Sequence, residues 1–198
     1  MPQDSNKMPL MSQQPEPSSG HSSAKVFFAL WPTPAECRLL AKWQVPLKRL
    51  CGGRAMRGET LHNTLVFIGA VEHARLERLF LAAQEVRKLS FELCFDEARY
   101  WGHNHIVYAT PSEAPQQLVQ LVSALEERLE MHRFKFDKRQ YKPHVTLLRN
   151  ARWTDTPLPA MHPVRWQIHD FALMQSGQQN GLASYQELAR FPLMPERA

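Results

Sequence analysis

The chain has 198 residues, of which 43% are hydrophobic, 22% charged and 10% aromatic, enough for one well-filled interior. A mean hydropathy of -0.42, with no apolar run near the ~18 residues a bilayer span requires, excludes a transmembrane helix. Twenty-four Lys and Arg against nineteen Asp and Glu leave +5, which favours a polyanionic partner without identifying it. Cys37, Cys51 and Cys94 are odd in number, far apart and free of any CxxC spacing. They exclude a disulfide framework and a zinc knuckle, and a reducing cytoplasm is the expected setting.

Residues 1–24 hold four Pro, six Ser and three Gln but no aromatic or β-branched residue, so a disordered tail is expected there, with one folded domain over 25–198. The segment lacks the basic start and apolar core of an export signal. From Lys25 the run KVFFALWP reads as a buried first strand. Thr33, Pro34 and Glu36 supply the N-cap, first-turn proline and capping-box acid of a helix. Its apolar face is Leu39, Leu40 and Trp43, and Pro46 is expected to end it. A second helix is expected over 71–89 on Leu76, Leu79, Phe80, Ala83 and Val86, and a third over 113–132 on Leu118, Leu121, Val122, Leu125 and Leu129. Strand-like stretches occupy 61–68, 91–101, 105–110, 144–148, 165–174 and 185–191. The class is α+β.

Two strands share a pattern. Leu61-His62-Asn63-Thr64-Leu65 and Pro143-His144-Val145-Thr146-Leu147 each carry His-x-Thr-Leu, the second copy lying 82 residues after the first. In a strand, residues i and i+2 share a face, so each imidazole stands beside its own hydroxyl while the neighbouring apolar residues turn inward. Imidazole is the side chain that can serve as acid in one copy and base in another near neutrality. Placed on opposite sides of a phosphorus atom, His62 and His144 could activate water and protonate a departing oxygen, with Thr64 and Thr146 donating to the phosphate oxygens. This scheme requires no metal or cofactor. A single His-x-Thr is usually chance; repetition in two half-chains is not.

These segments resemble the 2H phosphoesterases, and among them the RNA 2′,3′-cyclic phosphodiesterases first described as 2′-5′ RNA ligases. The resemblance rests on the VFFAL strand, Gly53-Arg54, LHNTLVFIG, KPHVTLLR, and Leu173-Met174-Gln175-Ser176 followed by Tyr185 and Leu188. It implies a bilobal α+β fold of pseudo-symmetric lobes, each an antiparallel sheet with helices, around a central cleft. It further implies opening of a 2′,3′-cyclic phosphate at an RNA end, tRNA fragments included, to a 2′-phosphomonoester, with reversible ATP-independent 2′-5′ joining as a secondary activity. By the same resemblance, His62 donates the proton to the departing O3′, His144 accepts the proton of water, and Thr64 and Thr146 bind phosphate. A monomer is expected. Asn63 departs from the family's usual apolar residue and should point away from the cleft.

Between residues 128 and 152, eight basic residues face only Glu130 and Asp137, a local +6 beside His144. Phe134, Phe136 and Tyr141 interleave with them, a mixture suited to stacking bases and holding phosphates, although a solvated basic loop has the same composition. Tyr141, Lys142, Arg149 and Arg54 are therefore the candidate substrate contacts. Arg149 lies five residues after His144, so a bulge or the strand end must turn it back to the cleft if it is to touch phosphate. His103 and His105 have no third ligand at suitable spacing and fit an exposed turn. The rival functions are the same chemistry on a small cyclic nucleotide, and a non-catalytic module that binds RNA ends.

Overall fold

The computed structural model describes residues 23–153 and 156–195. Residues 1–22, most of the expected tail, lie outside them, but Ser23 and Ala24 already belong to the first strand and Ala24 is buried. The domain therefore begins before Lys25. Strand β1 (Ser23–Leu30) is apolar almost throughout because both its faces are covered. Val26, Phe28 and Leu30 enter the main core, while Phe27 and Ala29 join a smaller cluster on the opposite face with Ala172 and Met174.

Helix α1 (Pro34–Cys51) starts as expected: the Thr33 side chain accepts from the Glu36 N–H, and Glu36 accepts from the Thr33 N–H at 2.7 Å. It does not stop at Pro46. That residue is on the solvent side, where the orphaned carbonyl of Lys42 is exposed. Burial of Leu47 and Cys51 carries the helix on to Gly52, whose N–H caps the Lys48 carbonyl. Leu39, expected on the buried face, is 43% exposed; Leu40, Trp43, Gln44, Leu47 and Cys51 form that face instead.

After the two-residue β2 (Arg54–Ala55) comes β3 (Asn63–Glu72). Because β3 extends past Val71 and a single 3₁₀ turn follows, α2 is shorter than expected, Leu76–Gln84. The stretch 91–101 is two strands, β4 (Phe91–Phe95) and β5 (Glu97–Trp101), divided at Asp96, whose carboxylate accepts from the N–H and hydroxyl of Ser112. β6 (Ile106–Thr110), α3 (Gln116–Met131) and β7 (Val145–Arg149) follow. The stretch 165–174 likewise divides, into β8 (Val164–Ile168) and the start of β9 (Asp170–Gln179), which pairs with β10 (Leu182–Pro192).

The main sheet runs β10-β9-β1-β3-β7-β6-β5, with β2 beside β7, and β4-β8 form a separate ribbon. The strands bearing His-x-Thr are central neighbours, antiparallel, and paired through Asn63 and Val145. One lobe joins β1 and β3 to the C-terminal hairpin and is therefore discontinuous in the chain, whereas the other joins β5, β6 and β7, which follow one another. Helices α1, α2 and α3 and the β4-β8 ribbon contribute to the core against one face of the sheet. The other face carries the cleft.

Candidate active site

Both His-x-Thr strands are shaped by the same irregularity. In the β1-β3 pairing Ala29 faces Thr64 and Phe28 faces Val66, leaving Leu65 over; in β6-β7, Tyr108 faces Thr146 and Val107 faces Leu148, leaving Leu147 over. Each is a bulge one residue after the threonine. It sends two consecutive residues, Leu65-Val66 and Leu147-Leu148, into the core and returns the next side chain to the cleft. The bulge needed to bring Arg149 to the phosphate side is thus present, and its counterpart at the same place in the first copy is Phe67. The signal was in the sequence: Phe67 follows His62 as Arg149 follows His144.

His62, Thr64, Phe67, His144, Thr146 and Arg149 line one cavity of about 570 Å³. Each imidazole is fixed by a backbone carbonyl two residues earlier: His62 Nδ1 lies 2.8 Å from the Thr60 oxygen, and His144 Nδ1 2.8 Å from the Lys142 oxygen. A carbonyl can only accept, so Nδ1 carries hydrogen in both rings and Nε2 is left as the nitrogen that takes or gives a proton. Aromatic rings complete the clamps. Trp31 stacks on His62 at 5.1 Å and an interplanar angle of 6°, with Tyr185 and Phe27 at 5.0 and 5.2 Å. Trp101 meets His144 edge-on at 4.7 Å, with Tyr108 at 5.8 Å.

Burial holds His62 down to about 4, helped by the positive charges of His144 and Arg149 and opposed by the Thr60 carbonyl. His144 is also lowered, by burial and by Arg149, against the Lys142 carbonyl. Both rings therefore favour the neutral form, and a phosphate anion would raise both.

The remaining candidates are not all in the cleft. Arg54 is exposed and lines neither this cavity nor the adjoining one beyond Trp101, although it pairs with Arg149 across β2-β7. Its neighbour Gly53 has a packing reason: φ is +77°, and a Cβ there would stand 2.7 Å from the Arg149 carbonyl oxygen. Tyr141 spends its hydroxyl on the buried Asn63 amide, 3.2 Å away, and lines the adjoining cavity. Asn63 does point away from the cleft, and its amide also lies 3.3 Å from the backbone N of His144, linking the two strands. Lys142 is exposed on the adjoining cavity.

Part of the expected basic, aromatic surface beside His144 is engaged within the fold. Phe134 is buried under Arg75 and Phe136 packs on the core. Arg128 pairs with Glu85, Lys138 with Glu130, and Arg139 with Asp137. Of these partners Glu130 and Asp137 lie within the run, and Glu85, at the end of α2, is the one its composition could not show. The most exposed aromatic lining the cleft among the described residues is Phe67, 38% exposed. Another unanticipated residue is Gln44, whose buried amide donates to the Met56 and Leu147 carbonyls and so satisfies the bulge below Arg149. His103 and His105 lie in the turn between β5 and β6.

A fold of this topology, with two inward His-x-Thr strands at its centre, defines a 2H phosphoesterase. The family model for the 2′-5′ RNA ligase superfamily matches residues 30–180, and the chain belongs to that superfamily. It is 29% identical over 170 residues to the RNA 2′,3′-cyclic phosphodiesterase of Escherichia coli K12, covering 85% of this chain and 96% of the relative. Crystal structures of E. coli LigT complexed with 3′-AMP and in apo form superpose with TM-scores of 0.80 and 0.79, at 26% and 27% identity. Each covers 87% of this chain, and 99% and 98% of the respective LigT chain. A Thermus thermophilus protein at 21% identity, TM-score 0.69, covering 87% of this chain and 100% of its own, shares the fold. Among the described residues no helix is long and apolar enough to cross a membrane.

Proposed function

We propose that the cleft hydrolyses the 2′,3′-cyclic phosphate at an RNA 3′ end, leaving a 2′-phosphomonoester and a free 3′-hydroxyl. The observation that carries this reading is the pair of carbonyl-anchored imidazoles, each beside a threonine, in one cavity. Water attacks phosphorus in line with the P–O3′ bond. His144 Nε2 takes the water proton, the P–O3′ bond breaks, and His62 Nε2 protonates O3′. Thr64, Thr146 and Arg149 hold the non-bridging oxygens, where charge gathers.

His62, held down to about 4 chiefly by burial, must gain its proton with the substrate, whose phosphate anion supplies the opposite charge that favours the buried imidazolium. An RNA 5′-hydroxyl in place of water gives a 2′-5′ linkage by the same displacement, without ATP. RNA fragments with such ends, those of tRNA among them, are the substrates in this reading, and the protein acts as a monomer in the cytoplasm.

Incubation in EDTA with a short RNA ending in 2′,3′-cyclic phosphate tests the reaction, with product position read by mass and phosphatase sensitivity. A 2′-phosphate formed by the native protein and not by His144→Ala is expected. A 3′-phosphate, or equal turnover by the variant, contradicts the reading, and RNA binding without product would favour a binding module.

A further inference from the structure

Two cavities meet at the phosphate centre. Thr64, Phe67, His144, Thr146 and Arg149 line both, but beyond them the cavities diverge in charge. The second, about 580 Å³, runs past Trp101 toward Glu126 and Asp137; its own cations are Lys142 and Arg139, the latter committed to the Asp137 carboxylate. Among the described residues no carboxylate lines the first, and its outer end holds a cation, Lys25, which the reaction itself does not use.

Lys25 shares the cleft face of β1 with Phe27, Ala29 and Trp31, by the two-residue period of a strand. Its ammonium lies 5.6 Å from the centroid of the Phe67 ring. Ala29 pairs with Thr64, so Lys25 stands four residues along β1 from the phosphate-binding threonine, about 13 Å at ~3.3 Å per residue. A lysine side chain extended toward Thr64 would shorten that span toward the separation of neighbouring phosphates in an extended strand. The exposed face of Phe67 lies between.

We infer that Lys25 is a subsite for the phosphodiester on the 5′ side of the terminal nucleotide, and that the RNA chain leaves the reaction centre through the carboxylate-free cavity. This rests on the cyclic-phosphate reading above and adds what separates an RNA chain from a mononucleotide. A nucleoside 2′,3′-cyclic phosphate has no such phosphodiester, so Lys25 acts on chain substrates selectively. The second cavity repels a polyanion at Glu126 and leaves space for an incoming group without a phosphate at its end.

The test compares kcat/KM for a short oligoribonucleotide ending in 2′,3′-cyclic phosphate with that for a nucleoside 2′,3′-cyclic phosphate, for the native chain, Lys25→Gln, Lys25→Arg and Lys142→Gln. Lys25→Gln should lower the oligonucleotide-to-nucleoside ratio about five- to tenfold, and Lys25→Arg should retain it. The salt dependence of oligonucleotide KM should lose about 0.7 in log–log slope with Lys25→Gln, the share of one single-strand phosphate contact. Equal effects of Lys25→Gln on both substrates, or none, overturn the subsite. A selective loss with Lys142→Gln instead places the chain in the other cavity and also overturns it. If the native chain shows no preference for the oligonucleotide, the RNA-chain reading fails along with the subsite that rests on it.

Discussion

The two His-x-Thr strands use one backbone device in two different surroundings. A bulge after the threonine and a carbonyl on Nδ1 are common to both copies. What differs is the company: His62 is enclosed by Trp31, Phe27 and Tyr185, with Phe67 at the returned position, whereas His144 has Trp101 and Tyr108, with Arg149 at that position. The backbone therefore sets where the imidazoles stand, and the side chains around them set which gives up its charge more readily. One strand supplies an apolar wall and a ring face; its twin supplies the fixed positive charge.

Removing either imidazole ends that comparison. His62→Ala and His144→Ala should each lower kcat by ~10²–10⁴, with binding of RNA ends retained. The two losses should not multiply in the double variant, because acid and base act in one displacement. Single-turnover rates at saturating substrate check both statements.

Exchange at the returned position sharpens it. Arg149→Met should lower kcat/KM by roughly 10²-fold, since a charge at the developing phosphate charge is lost. It should also shift both histidine titrations slightly upward, because burial is the main cause that holds both rings down and the guanidinium adds to it. Phe67→Ala should do neither to that extent: a loss of about tenfold, mainly in KM, is expected of an exposed ring that meets substrate by stacking. Equal losses from the two substitutions would mean the copies are not divided as described.

Tyr141→Phe should give the smallest change, about threefold or less in kcat/KM, because its hydroxyl faces Asn63 and not the cleft. Steady-state kinetics on the cyclic-phosphate substrate measures it. A loss near that of Arg149→Met would put the hydroxyl at the phosphate.

Much of this was legible in the sequence because it depends on local chemistry: the capping box at Thr33, the repeated His-x-Thr, and the inward alternation that follows from strand period. The four catalytic candidates lie together in one cleft because the two motif strands are adjacent at the centre of the sheet. What was not legible depended on distant partners. Pro46 reads as a helix end in isolation because the buried contacts of Leu47 and Cys51 that extend the helix are tertiary. The runs 91–101 and 165–174 each read as continuous, and only the change of sheet separates β4 from β5 and β8 from β9. In the basic run, Arg128 is met by Glu85 from the end of α2, a partner that the run itself does not contain. Arg54 stands near the motif in sequence but faces outside the cleft, its prominence belonging to the close approach of Gly53.

The central claim is that two neutral-leaning imidazoles share the proton work, and the pH dependence of kcat/KM tests it most directly. Both folded-state values lie below the ordinary 6.5, His62 at about 4, so the singly protonated pair is most populated on the acid side. The account predicts a bell with both limbs below pH 6.5 in kcat/KM, and a kcat profile displaced to higher pH, where bound phosphate has raised the rings. A flat profile, or a single limb that persists unchanged in His62→Ala, would contradict it.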